Sequence, residues 1–245
     1  MNFPLPCFSK IVTIIGAMRE WCSISLLAMF VLGCASQNHT ADGIRYYGQA
    51  RYDAAMTSFQ SAYKANPNDP NTLYNIAATY HQSAKTSLLT GQSAAAQQQY
   101  EQAAQYYQQC LAKNPNHADA YRGLASLYMD CQNGEAAYQL LSGWYQANPT
   151  AADPKIELAR FYHEFAQICM LQGRTDAALN CRNAAVQLLQ QVLAVEPTNY
   201  RALRALGYLK EQSGDIAGAV FDYQRSLQAN PQQKDLEERV AALTR

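Results

Sequence analysis

Apolar side chains recur along this chain at three- and four-residue steps, as in Leu203, Leu206 and Leu209 or Ala219, Tyr223 and Leu227. That period predicts helices rather than strands throughout. Prolines punctuate the helical pattern at positions 67, 115, 149, 197 and 231, so that a long interval (67 to 115, 149 to 197) alternates with a short one (115 to 149, 197 to 231). A proline cannot continue a helix interior, so each marks the end of one element. The alternation predicts a repeat array built from two unit lengths.

Sliding the chain by one long and one short interval, so that Pro67 falls on Pro149 and Pro149 on Pro231, brings it onto itself without gaps. Ala77, Tyr80, His81, Gly91, Ala103, Leu111 and Arg122 fall on Ala159, Tyr162, His163, Gly173, Ala185, Leu193 and Arg204, and Gln-Ala-Asn-Pro recurs at 146–149 and 228–231. Such a period implies stacked supersecondary units, each burying its apolar face only against a neighbour.

The last unit carries Leu203, Leu206, Gly207, Gly214, Ala219, Tyr223 and Pro231. The third has Tyr121, Leu124, Ala125, Tyr128, Ala137, Leu141 and Pro149, and the first Gly43, Tyr46, Ala55, Phe59, Ala62 and Pro67. This order of large, small, small, aromatic and proline resembles the tetratricopeptide-repeat (TPR) family over residues 36–231. The resemblance implies an all-α, right-handed α-solenoid of five TPR-like helix hairpins, in repeats of about 36–69, 70–117, 118–151, 152–199 and 200–231. Small residues such as Ala125 and Ala137 let paired helices approach, while Tyr and Leu fill the grooves beside them. Trp144 departs from the pattern, standing where a small residue is usual.

The second and fourth units are the longer ones, and the excess reads as one heptad in each helix. Leu158, Ala159 and Tyr162 recur a heptad on as Phe165, Ala166 and Cys169 before Gly173 takes the turn, and Gly91 does so in the second unit. A heptad is close to two helical turns, which keeps the same face inward and lengthens each hairpin by about 10 Å. Leu236, Val240 and Leu243 predict a C-terminal capping helix within 232–245, covering the end of the array.

Composition narrows function mainly by exclusion. The 19 basic and 19 acidic residues cancel, which leaves no basic surface suited to nucleic acid. With 49% hydrophobic and 16% charged residues the chain is globular beyond its start. That start, residues 1–33, reads as a signal peptide. Ile24–Leu32 is a short apolar run, and Val31, Leu32, Gly33 and Cys34 resemble the lipobox cut by the bacterial lipoprotein signal peptidase. The resemblance implies lipidation of Cys34, a tether over 34–39 reaching at most about 20 Å, and an anchored location in a bacterial cell envelope. Ala35 after the cysteine implies the outer membrane, facing the periplasm. An ordinary secretory peptide or N-terminal anchor is the alternative. Met18 followed by Arg19 is a second candidate start, which would discard Cys7.

Candidate chemistry is sparse. Cys110, Cys131, Cys169 and Cys181 read as packed thiols; Cys169 and Cys181 flank the Gly173 turn, but the hairpin register sets them about 9 Å apart along the axis, too far for a disulfide. His81 and His163 are equivalent through the duplication, with a whole repeat between them and no ligand-spaced Cys or acid nearby, so no metal site is expected. No phosphate loop, nucleophile elbow or paired-carboxylate motif occurs, so neither catalysis nor a cofactor is expected.

In TPR proteins the first helix of each repeat lines a concave groove for peptides or partner helices. Carried over residue by residue, the resemblance places Tyr74, Asn75, His81, Arg122, Arg160, His163, Arg201, Arg204 and Tyr208 in that groove. The four arginines make its C-terminal half basic, suited to an acidic segment or terminal carboxylate, or else they pair with Asp119, Asp153 and Glu157. Glu157 itself stands where the carboxylate-clamping members of the family have a donor. At the tips of the long hairpins, Leu88 and Leu89 match Met170 and Leu171, either as an exposed self-association site or as packing inside each hairpin. The expected function is a non-catalytic protein-protein interaction scaffold, membrane-anchored and recruiting or assembling cell-envelope proteins. The alternatives are a cytosolic TPR adaptor resembling a co-chaperone, or an enzyme.

Overall fold

The computed structural model describes residues 39–245, so the leader, Met18 and Cys34 lie outside the described residues. Every regular element there is a helix. Helix α1 includes 39–48, so His39, which the sequence reading has in the tether, is helical. There follow α2 (Tyr52–Ala65), α3 (Pro70–Leu89), α4 (Ser93–Lys113), α5 (Ala118–Asp130), α6 (Gly134–Ala147), α7 (Ala152–Leu171), α8 (Thr175–Val195), α9 (Tyr200–Gln212), α10 (Ile216–Ala229) and α11 (Lys234–Leu243). Helices α3, α4, α7 and α8 have 20 or 21 residues, against 13 or 14 in α2, α5, α6, α9 and α10. Among the described residues, no helix is long and apolar enough to cross a membrane.

The prolines act just past each second helix. Asn66, Asn114, Asn148, Glu196 and Asn230 precede them as C-caps, with φ between −143° and −122°. The proline ring excludes the α conformation from the residue before it, so the helix stops there. The next first helix is then capped by Asp69, His117 or Asn199, whose side chains accept from backbone N–H groups of the first turn.

A second punctuation lies inside each hairpin. Ala50, Gly91, Gln132, Gly173 and Gly214 all have positive φ, and they follow one another at a constant interval. This left-handed residue turns the chain from first helix to second. Three are glycines; Ala50 and Gln132 hold φ of 57° and 58° against their side chains. Gln132→Gly is therefore expected to stabilise the protein by about 1 kcal/mol, read as a raised denaturation midpoint, and Ala50→Gly should do the same.

Two compact units meet in sequence at Pro115 and Asn116. In the first, Ala55, Phe59 and Ile76 form a core flanked by Tyr46, Tyr63, Tyr80 and Tyr106. Tyr80 stacks on Tyr106 with ring centroids 5.9 Å apart, and Tyr63 meets the same ring edge-on. In the second, α5–α9 share a core that includes Ala137, Leu141, Trp144, Leu189 and Leu206. Trp144, out of pattern in the sequence, is accommodated by stacking on Tyr121 at 4.0 Å and 5°.

Small residues stand at points of close packing. Ala137, Ala185 and Ala219 are fully buried, and a Cβ on Gly207 would lie 2.7 Å from the Tyr223 ring. Helices α10 and α11 are joined through Tyr223, Leu236, Val240 and Leu243.

The thiols divide. Cys110 and Cys169 are buried as expected, but Cys131 is exposed, because it caps α5 at the hairpin turn rather than facing its core. Burial pushes the Cys110 thiol up to about 12, which leaves it protonated and unreactive.

Candidate functional site

Six of the nine sequence-predicted groove residues come together in the second unit. Arg122 on α5, Arg160 and His163 on α7, and Arg201, Arg204 and Tyr208 on α9 line one recess of about 920 Å³. Tyr74, Asn75 and His81 lie in the first unit and do not line it. His81 is buried instead, edge-on to Tyr100 and Tyr107 of α4. Tyr74 packs against Tyr107, with ring centroids 6.0 Å apart.

The recess exists because consecutive first helices present the same face. Residues at three- and four-residue spacing share a helix face, so Asp153, Glu157 and Arg160 look the same way from α7, as do Arg201 and Arg204 from α9. Glu157 is the centre of this surface and is only 2% exposed on its side chain. Arg122 binds it with two donors, Nη2 at 2.6 Å and Nε at 3.0 Å, and gives Nη1 to Asp119 at 2.7 Å. Arg201 reaches the same carboxylate from α9 and also holds Asp153. One buried acid thus ties together α5, α7 and α9.

Of the two readings left open for the arginines, pairing with neighbouring acids describes this face. Three arginines surround Glu157, Arg204 pairs with Asp235, and Arg239 pairs with Glu211. Glu157 consumes the donors around it. Arg160 is the least engaged of the four predicted arginines, 3.9 Å from Glu157 and 3.7 Å from Glu164.

His163 is buried, at 7% exposure. Its Nε2 lies 3.0 Å from the Gln167 amide, and its ring is edge-on to Tyr208 at 5.1 Å. Burial first, and the nearby Arg182 charge second, hold its pKa below the ordinary imidazole value. Burial raises the Glu164 carboxyl, opposed by Arg160. The Arg204 hydrogen bond lowers Asp235.

Helix α11 supplies the wall that sequence reading missed. Gln232 and Gln233, just before it, and Asp235, Leu236 and Arg239 all line the recess. The signal was present in the spacing: α9 begins at Tyr200 and α11 at Lys234, the same interval that separates Pro197 from Pro231. Helix α11 stands where the first helix of a next unit would begin as well as covering α10, and Asp235 stands one short repeat beyond Arg201, on the groove face.

The tips behave as surface. Leu89 and Leu171 are 89% and 90% exposed, and Leu88 and Met170 about half exposed. Among the described residues no group of three or more His, Cys, Asp or Glu is placed to hold a metal ion.

These features define a helical repeat protein, and tetratricopeptide-repeat family models match residues 94–144 and 170–234. Those two stretches carry tetratricopeptide repeats. A thermophilic TPR protein of Thermus thermophilus is 27% identical with a TM-score of 0.56, the match covering 86% of this chain and 99% of that one. A monomeric mutant of IFIT1 with Gppp-AAAA has a TM-score of 0.53 at 14% identity, covering 79% of this chain and 47% of that one; it shares the fold alone. Human protein O-mannosyl-transferase TMTC1 is 25% identical over 203 residues, which is 83% of this chain. The chain spans only 20% of that relative's length.

Proposed function

We propose that the chain is a non-catalytic scaffold that captures a segment of another protein in the recess lined by α5, α7, α9 and α11. The carrying observation is that the stacking of these helices brings Arg160, His163 and Tyr208 to one open face beside a neutralised ion network. Tyr208 and Tyr200 offer exposed aromatic faces there, Arg160 a lightly held cation, and Gln232 an amide. Rigid aromatics with a few polar donors suit an extended or helical peptide.

The leader pattern at Val31–Cys34 supports a lipid anchor on Cys34, placing the scaffold at a bacterial envelope membrane where it recruits or assembles envelope proteins. The exposed leucines at the tips support a second, weaker contact between copies. Affinity purification of the chain from membranes tests the groove, with an Arg160→Ala/Tyr208→Ala variant run alongside. Both substitutions lie on exposed side chains, so the fold should persist while co-purified proteins are lost. An unchanged set of partners sinks the groove reading. Intact mass of the same sample reports whether the chain starts at a diacylglyceryl-modified Cys34.

A further inference from the structure

The step from a short hairpin to a long one is built twice in this chain, and the two copies differ in chemistry. In the first unit α3 and α4 run on past the α1–α2 turn. Arg51, Tyr52 and Asp53 at that turn line a recess of about 500 Å³ together with Ser83, Thr86 and Ser87 of α3 and Gln99 of α4. The offset that sets Pro67 on Pro149 sets Ser83 on Phe165, Thr86 on Ile168, Ser87 on Cys169 and Gln99 on Cys181. Hydroxyls and an amide therefore stand where the second unit has an aromatic ring, an aliphatic chain and two thiols. Phe165 stacks on Phe161 and packs towards Gly134, where a Cβ would lie 3.8 Å from its ring. A serine is too short to reach across the step in this way, and the space it leaves is the recess.

Most of its polar groups remain available. The Ser87 hydroxyl donates to Gln99 Oε1 at 2.8 Å, which fixes the Gln99 side chain and leaves its two N–H donors over. Thr86 donates to the Gln82 carbonyl and keeps its lone pairs. The Arg51 guanidinium lies over the Tyr46 ring at 4.7 Å, and among the described residues it makes no ion pair. The Asp53 carboxylate and the Ser83 hydroxyl have no partner there either. An anion in the recess meets Asp53 and a cation meets Arg51, so a neutral ligand suits it best. The apolar lining is slight, only Ala50, Ala54 and the Tyr52 ring, which disfavours an acyl chain or a large aliphatic side chain. Carboxylate, guanidinium and amide are planar groups whose paired atoms match neighbouring hydroxyls. We propose that this recess binds a neutral carbohydrate, one or two hexose units of a glycan. Asp53 accepts from its hydroxyls, Arg51 and Gln99 donate to them, and Tyr52 meets a C–H face of the sugar. The volume falls in the usual range for small-molecule sites, about 300–1,000 Å³. The site lies in the first unit and does not depend on the groove reading above.

The probes are three neutral disaccharides, maltose, cellobiose and di-N-acetylchitobiose, titrated into the isotopically labelled full chain and followed through its amide resonances. At least one should bind with a dissociation constant on the order of 1 mM, since a few solvent-facing hydrogen bonds only modestly exceed the cost of association. The shifts should fall on residues 50–54, 83–87 and 99. Asp53→Ala should weaken that sugar by about tenfold or more, through the lost hydrogen bond to a charged group. Ser83→Phe puts the side chain of the second unit at this position and should abolish binding, with its denaturation midpoint measured alongside to report the fold. Should that variant not fold, Arg51→Ala takes its place, because Arg51 and Asp53 are both exposed at the turn. Failure of all three sugars to bind overturns the proposal, as does binding that the variants leave unchanged. Shifts confined to other residues overturn the assignment to this recess. Sodium sulfate and glycine are titrated as charged controls, and tighter binding of either than of any sugar overturns the carbohydrate assignment.

Discussion

Replacing Arg122 and Arg201 together by alanine should destabilise the second unit by more than the sum of the two single changes. Each single variant leaves Glu157 one guanidinium, and Arg160 stands 3.9 Å away. The pair strips a carboxylate that is 2% exposed of both close partners. Breaking a buried ion pair by removing one side costs about 3–5 kcal/mol because a charge is left without compensation. The single variants should each cost about 1–2 kcal/mol, since both arginines are partly solvated and the charge remains partnered. The excess is the coupling energy of a double-mutant cycle and should be at least about 1 kcal/mol. Adding Glu157→Gln to the double variant should recover part of the loss, because a neutral amide is cheaper to bury. Chemical denaturation of the parent and the variants measures this. Additive losses would mean that Glu157 is more hydrated than its burial implies.

The second large effect is expected at Gly207. A Cβ there would lie 2.7 Å from both Cδ1 and Cε1 of Tyr223 and 3.2 Å from the carbonyl oxygen of Ala219. Tyr223 cannot swing aside freely, since its hydroxyl donates to Glu211 at 2.9 Å and its ring is buried in the cluster with Ala219 and Leu236. Gly207→Val should therefore cost about 3 kcal/mol, the upper range for overpacking, and should loosen α10 and α11 before the rest of the unit. Hydrogen exchange would show this as early loss of protection in residues 216–243. Tyr223→Leu in the same chain should restore part of the stability by vacating the space. If it does not, the clash is with the Ala219 backbone rather than the ring.

These two sites differ in how visible they are from sequence. Gly207 stands at a repeat position where the pattern demands a small residue, and the five prolines and the Gly91 and Gly173 turns mark helix ends by chemistry local to the chain. Such features need only neighbouring residues to be interpreted. The ion network does not. Glu157 meets Arg122 across 35 residues and Arg201 across 44, and whether those arginines face a partner or each other's acids depends on how adjacent first helices stack. Sequence left both outcomes open. The fate of His81 and His163 was hidden for the same reason: equivalent positions in a duplication acquire different neighbours, two tyrosines from α4 for one and Tyr208 with Gln167 for the other. The role of α11 was legible in its offset of one short repeat from α9 but masked by its apolar spacing, which reads as a lid.

The constant interval between the left-handed turn residues has a consequence for how the chain can change length. Proline-to-proline distances alternate, yet the turns at positions 50, 91, 132, 173 and 214 stay evenly spaced, because every lengthening of a first helix is matched in the second. An insertion confined to one arm would leave a heptad without a mate and push the turn out of step with its neighbours. Only compensated insertions and deletions, one heptad from each arm, keep the array in frame. Excising such a matched pair from α7 and α8 should yield a shorter protein of uniform short units in that stretch, folded but with its tip drawn level with the hairpins beside it.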